Sequence, residues 1–360
     1  MSKEKCKCIR KTSIGGQALM EGIMMRGPQK CAMAVRRPNG EVYFEEESIE
    51  KKKRPAICRW PIIRGVFGFV DSMVMGYKYL MKSADIYCEE VESTEEQPKA
   101  DTAENVECAE GAADGAKKDE PKSVFSKGAM AAITIIATVL GVALAIGLFM
   151  WLPAFLYELL AKYVLPESWD NRYLRSVFEG VLKIFVLVAY MALVSLMKDI
   201  RRTFMYHGAE HKTIFCYEQG LPLTVANVRE QRRFHPRCGT SFLILMLIVS
   251  IVIGFLIPIN IPGLEGNRVV YTLVRAAIKL AMLPLIMGVG YELLKLAGRH
   301  DNVFTRIISA PGMWLQRITV REPTDDMIEC AIKAFVAVIP EDEKEGELQA
   351  IEQAEALEKE

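Results

Sequence analysis

Long uncharged apolar runs alternate with short, strongly charged stretches through the second half of the chain, a pattern that predicts a bundle of membrane-crossing helices. Ala129 to Trp151 contains 23 residues without a charge, and a helix crosses the hydrocarbon core in about 20. A second span runs from about Val177 to Met197 and carries Glu179 and Lys183, an i,i+4 pair in the favourable order. A third, Ser241 to Ile257, is uncharged and ends at Pro258. The fourth, Val269 to Tyr291, contains Arg275, Lys279 and Pro284. Charges at that depth are costly unless they snorkel, face protein or line a path. The expectation is an α-helical membrane protein with about four transmembrane helices, its bundle spanning residues 128–298.

The first part of the chain follows different periods. Cys31 to Arg37 and Glu41 to Ser48 flank Pro38-Asn39-Gly40, and Asn-Gly is a strong hairpin-turn signal. With the preceding glycine-punctuated stretch from Gly15 to Pro28, residues 13–57 read as a small β unit. From Trp60 to Ser83 the period becomes helical. Arg64, Asp71, Lys78 and Lys82 form a polar stripe, and Gly65, Gly68, Ser72 and Gly76 a small-residue surface where another helix can approach. Residues 58–84 are therefore expected as an amphipathic helix, interfacial or docked on the bundle; as a fifth span it would reverse the N-terminal topology. Residues 85–127 are acidic and poor in large apolar side chains, as in a disordered linker. After the bundle, 299–340 reads as a C-terminal cytoplasmic helical segment. It has a polar turn region up to Ala310, a short apolar-basic piece from Pro311 to Arg321, and a helix over Met327 to Val338 introduced by Pro323-Thr324-Asp325-Asp326. Residues 1–12 are expected as a flexible tail, with Cys6 and Cys8 too isolated to make a site, and 341–360 as a charged tail that frays.

Charge adds orientation. Lysine plus arginine and aspartate plus glutamate each number 45, so the net charge of zero says nothing by itself. Residues 1–64, however, hold 15 basic against 7 acidic residues, and Lys198 to Arg237 holds 8 more basic ones. Few lie near 162–175 or 258–268. The positive-inside rule then places both termini, the β unit and the loop 198–238 in the cytoplasm. That bias also accounts for Arg229, Arg232, Arg233 and Arg237, so nucleic acid is not an expected partner. The first 50 residues lack the apolar stretch of a cleavable signal. Nine cysteines, most on the cytoplasmic side, suit free thiols or metal ligands better than a disulfide framework.

The candidate chemistry is concentrated in that loop. Three of the four histidines fall in His207-x-x-Glu210-His211 and His235-Pro236-Arg237-Cys238. On a helix the first motif puts two imidazoles on one face with a carboxylate beside them, and the second adds a nitrogen and a thiolate of the kind Zn²⁺ prefers. If His207, His211, His235 and Cys238 all bind, the site is closed and structural. If water displaces one, the site can hydrolyse, with Glu210 as catalytic base. Gly208 weakens this helix by about 1 kcal/mol relative to alanine. Without a metal, the histidines would meet headgroups at a helix end. Glu292 is a further ligand candidate, but an interfacial carboxylate paired with Lys295 or Arg299 accounts for it better. Arg275 and Lys279, one turn apart, could line an anion path or bind lipid phosphate.

Four blocks in order, Gly15 to Pro28, Tyr206 to Lys212, Arg233 to Ser241 and Pro311 to Gln316, resemble the YqhQ-like family of bacterial membrane proteins. The resemblance spans nearly the whole chain apart from the acidic segment and tails. It implies a multi-pass protein of the bacterial inner membrane and a metal-dependent enzyme, and it carries over His207, Glu210, His211, His235 and Cys238 as motif positions without roles. The expected partners are the lipid bilayer and a second membrane protein or another copy of the chain. Three function classes stay open: a metal-dependent hydrolase acting on a peptide or lipid-derived bond, a non-enzymatic scaffold or accessory factor with a structural metal, and a transporter.

Overall fold

The computed structural model describes residues 12–49, 55–95, 127–166, 172–256, 268–299 and 302–358. It is mostly helical, with a small antiparallel sheet at the N-terminal end. Strands β1 (Gly15–Leu19), β2 (Gly22–Arg26), β3 (Lys30–Arg36) and β4 (Val42–Ser48) pair in sequence order. The β3–β4 turn uses the expected Asn-Gly chemistry. Gly40 has φ +89°, and Asn39 Oδ1 accepts the Glu41 N–H at 2.8 Å. The β1–β2 turn has no such signature. Leu19 pairs with Gly22 around Met20-Glu21, and Glu21 adopts φ 48°.

Strands β2 and β3 lack a polar alternation because both faces of the sheet are covered. Ile23, Met25, Ala32 and Ala34 pack into one core with Tyr206 and Ala209 of α5 (Lys198–Glu218) and Phe335 of α11 (Asp325–Val338). The opposite pleat, Leu19, Met24, Cys31, Met33 and Val35, meets Tyr79 and Ile86 of α1 (Ile63–Glu95). Each such fully buried large side chain contributes about 1.5–3 kcal/mol relative to exposure. The sheet thus acts as a floor under α5, the helix that carries the first histidine motif.

Among the described residues, three helical stretches are long and apolar enough to cross a membrane: Ile135–Tyr163, Tyr173–Val194 and Leu273–Gly298. The first combines α2 (Lys127–Ile146) with α3 (Leu152–Tyr163) through a π-helical turn at Gly147–Trp151. The second is α4 (Arg172–Val194). The third joins α8 (Arg268–Ala281) to α9 (Leu283–Arg299) across Met282, just before Pro284. The remaining expected span corresponds to α7 (Gly239–Gly254), which follows the short α6 (Val225–Arg229) and whose 16 residues make it shorter than these. α7 packs against α4, α9 and α10 (Val303–Thr319). Its Ile244 meets Leu187 and Leu315, and its Val249 and Ile253 meet Ile286.

Several local expectations change. Glu179 accepts from Arg175 Nε at 2.9 Å and from Lys279 Nζ at 2.5 Å, instead of pairing with Lys183. Glu292 takes both oxygens to Arg64, at 2.6 and 2.5 Å, rather than to Lys295 or Arg299. This bond and the contact of Gly65 and Gly68 with Tyr291 dock α1 on α9 through the predicted small-residue surface. Phe67, Val70, Met73, Val74 and Tyr77 of α1 remain exposed. The described residues of the expected turn region from Leu296 to Ala310 are mostly helical: 296–299 end α9, and an Asn302–Thr305 capping box starts α10. The C-terminal charged segment forms α12 (Glu341–Glu358). The N-terminal tail with Cys6 and Cys8 and most of the acidic segment, 96–126, lie outside the described residues.

Candidate metal centre

His207 and His211 sit one turn apart on α5, with ring centroids 4.4 Å apart and planes at 65°. Each ring is oriented by a backbone carbonyl. His207 donates Nδ1–H to Thr319 O at 3.0 Å, and His211 donates Nδ1–H to Arg233 O at 2.6 Å. A carbonyl only accepts, so both Nδ1 atoms carry a proton and both Nε2 atoms are left to face the interior. His207 Nε2 lies 3.1 Å from Cys238 Sγ. His211 Nε2 is buried with no hydrogen-bond partner among the described residues. Cys238 caps the N-terminus of α7, where its Sγ accepts the Thr240 N–H at 3.4 Å.

One ligand atom from each of His207, His211 and Cys238 lies within 4.8 Å of the others. His207 keeps some exposure as a whole residue, although the ligand-bearing end of its side chain is enclosed. Gly208 allows this packing, since a Cβ there would come 1.9 Å from Arg321 O. Burial opposes charge on His207, but the adjacent Cys238 outweighs it and raises the imidazole pKa to about 9. Burial likewise opposes ionisation of Cys238, yet the charges of His207 and His211 hold the thiol well below its ordinary range. In the absence of a metal, the arrangement favours an imidazolium–thiolate pair.

Glu210 lies beside this group but outside it. Its Oε1 accepts the Gly16 N–H of β1 at 3.0 Å. Burial pushes its pKa up, against the opposing effect of the two histidines.

His235 is held in a different network. Its backbone N–H donates to Gln316 Oε1 at 2.9 Å, and its carbonyl accepts from Gln316 Nε2 at 2.7 Å. Its Nδ1 accepts the Arg237 N–H at 3.2 Å, and its Nε2 lies 3.7 Å from Glu218 Oε2. The ring rests against Phe215 and His211, with centroids at 4.6 and 5.7 Å. Of the four ligands expected, the structure therefore gathers three and turns His235 toward Glu218.

A family model described as a protein of unknown function, DUF1385, matches residues 60–341. The chain belongs to the DUF1385 family. It is also similar to the uncharacterized protein YqhQ of Bacillus subtilis (strain 168), with 30% identity over 337 residues covering 93% of each chain. No solved structure matches.

In this DUF1385 chain, four residues to which the sequence reading gave no site role hold the cluster and its neighbours: Thr319 orients His207, Gly16 holds Glu210, and Gln316 and Glu218 hold His235. Glu218 accepts from the Thr12 N–H at 3.2 Å and from Arg237. Burial would raise its pKa, but the hydrogen bonds of His235 and Arg237 prevail and lower it. One signal pointed to Glu218, because it follows His211 by two helical turns on the same face. Thr319 and Gly16 act through backbone atoms, which side-chain chemistry cannot reveal in a sequence.

Proposed function

We propose that this protein is a membrane-embedded, metal-dependent hydrolase in which His207, His211 and Cys238 hold one zinc ion and Glu210 serves as general base. The carrying observation is the pair of carbonyl-oriented imidazoles beside a thiol, with the buried Nε2 of His211 left without a partner. Metal-ligating histidines usually donate their other N–H to a carbonyl or carboxylate in this way. Tetrahedral zinc separates its ligand atoms by about 3.5 Å, so a group within 4.8 Å needs only a small closing movement. Three protein ligands, with His235 engaged by Glu218, leave a fourth position for substrate or water. When bound, the ion supplies Lewis acidity at a scissile carbonyl or phosphoryl group. Glu210, held by Gly16 and made a stronger base by burial, suits proton abstraction at that position. The substrate class is a peptide or lipid-derived bond at the membrane surface.

The membrane arrangement belongs to the same reading: a multi-pass protein of the bacterial inner membrane with four crossings, both termini cytoplasmic and α1 along the interface. Parity supports it. Strands β2 and β3, α5 and α11 share one core, so these parts of the chain lie on one side of the membrane. Crossings between them must then come in pairs: α2–α3 with α4, and α7 with α8–α9. The 16 residues of α7 rise about 24 Å, short of a hydrocarbon core of about 30 Å, a mismatch that local thinning accommodates. The exposed apolar side chains of α1 suit lipid contact.

A second reading, a purely structural metal tying α5 to α7, is favoured by the burial of His211 and Cys238, at 1% and 6% exposure. Metal analysis of protein purified without chelators, paired with Glu210→Gln, separates the two. The hydrolase reading expects about one zinc per chain, lost in His211→Ala, and a Glu210→Gln variant that keeps its metal and melting temperature but fails to complement a deletion strain. Full complementation by Glu210→Gln selects the structural reading, and metal-free wild-type protein overturns both.

A further inference from the structure

A cavity of about 330 Å³ lies between α4, α7 and α8–α9, within the usual size range of small-ligand sites, about 300–1,000 Å³. Four charged side chains line it: Glu179, Lys183, Arg275 and Lys279. Both oxygens of Glu179 are already taken, Oε1 by Arg175 and Oε2 by Lys279. Lys183, half-buried on the candidate span Tyr173–Val194, makes no hydrogen bond or ion pair among the described residues. An ammonium at membrane depth whose neighbouring carboxylate is already engaged by other cations is costly, and such groups commonly mark a ligand or ion site. The remaining walls are largely apolar, including Phe149, Leu187, Leu243, Leu247 and Ile286. Leu280 and Leu283 also line the cavity yet are 61% and 40% exposed, so it opens toward the side of the bundle where acyl chains lie.

The cavity is separate from the histidine–cysteine group. None of His207, His211 and Cys238 lines it, and its wall residue on α7 nearest to Cys238, Leu243, is about 7.5 Å along the helix, at about 1.5 Å per residue.

We propose that this cavity is a binding site for an anionic lipid, its oxyanion head held by Lys183, Arg275 and Lys279 and its acyl chain against the leucines of α7. The head supplies the charge that Glu179 cannot, and the chain fills the apolar volume that a bare anion would leave empty. The proposal does not depend on metal binding or hydrolysis.

The test uses full-length protein in nonionic detergent after delipidation, read by native mass spectrometry and by thermal melting. Probes are phosphatidylglycerol, phosphatidylcholine of the same chains, oleate and inorganic phosphate. The expected result is one retained phosphatidylglycerol or oleate per chain and a raised melting temperature, with at least tenfold weaker binding of phosphatidylcholine and no stabilisation by inorganic phosphate. Lys183→Met should weaken anionic-lipid binding at least tenfold without lowering the melting temperature of the lipid-free protein. Leu247→Trp, which fills the cavity and keeps every charge, should have the same effect on binding, whereas the exposed Lys162→Met should not. Equal retention of neutral and anionic lipid overturns the proposal, and wild-type protein alone decides this if neither cavity variant folds. Unchanged binding in folded Lys183→Met and Leu247→Trp overturns it too, and stabilisation by inorganic phosphate alone assigns the cavity to a free anion instead.

Discussion

Glu218 connects the N-terminal segment, α5 and the His235 loop through Thr12, Arg237 and His235. Its depressed pKa means that below the ordinary carboxylate value of 4.5 the unfolded chain binds a proton that the folded chain does not. The stability it contributes is therefore complete above that pH and is lost as pH falls through the lower folded value. Melting curves of purified protein between pH 6 and pH 3.5 should show a shallower acid decline for Glu218→Gln than for wild type; parallel declines would contradict the assignment. At this scale the sequence was most informative where a side chain acts with its own helix. His207, Glu210 and His211 read correctly as one helical group because spacing along α5 brings them together. His235 shares their chemistry but lies in a loop, and Gln316, 81 residues away, fixes which way it turns. No local period encodes that contact.

Elements reach the cluster mainly through α10. Gln316 clamps the backbone of His235 and donates to Ser241 Oγ at 3.0 Å, while Gly312 lies so close to Ser241 that a Cβ would fall 2.4 Å from its Cβ. Gln316→Leu should strand the His235 N–H and carbonyl in a buried site, costing about 1–3 kcal/mol for each unsatisfied group. Faster hydrogen exchange over 233–238 is the expected readout and, under the proposed metal reading, weaker zinc binding, because Arg233 in the same loop orients His211. Unchanged exchange there would remove α10 from any positioning role. The same scale explains two misreadings. The β1–β2 hairpin went unseen because Met20-Glu21 is not a favoured turn pair, and Glu21 reaches its left-handed conformation with Arg202 bound to its carboxylate, the second bond at 2.6 Å. The described part of the polar turn expected after the bundle is helical, and its start was missed because the Asn302–Thr305 capping box is a short-range signal beside a stronger charge pattern.

For the whole molecule, the proposed four-crossing arrangement makes a parity prediction. Reporter fusions after residues 12, 224 and 340 should all indicate the cytoplasm, and one after 258 the opposite side. A cytoplasmic signal at 258 would make α7 a re-entrant or peripheral helix. The apolar runs were legible because bilayer thickness imposes a length on them, but the sequence could not reveal that strands from the N-terminal end and a helix from the C-terminal end share one core with α5.

That shared core divides the chemistry unevenly between the regions of the chain. A fragment beginning at Trp60, where the family match starts, contains His207, His211 and Cys238 and every carbonyl that orients them. It lacks the Gly16 N–H that holds the Glu210 carboxylate and the strands beneath α5. Under the proposed hydrolase reading, the ligand set and the alignment of the base therefore come from different stretches of the chain, and the N-terminal sheet acts on the site as an attached positioning module.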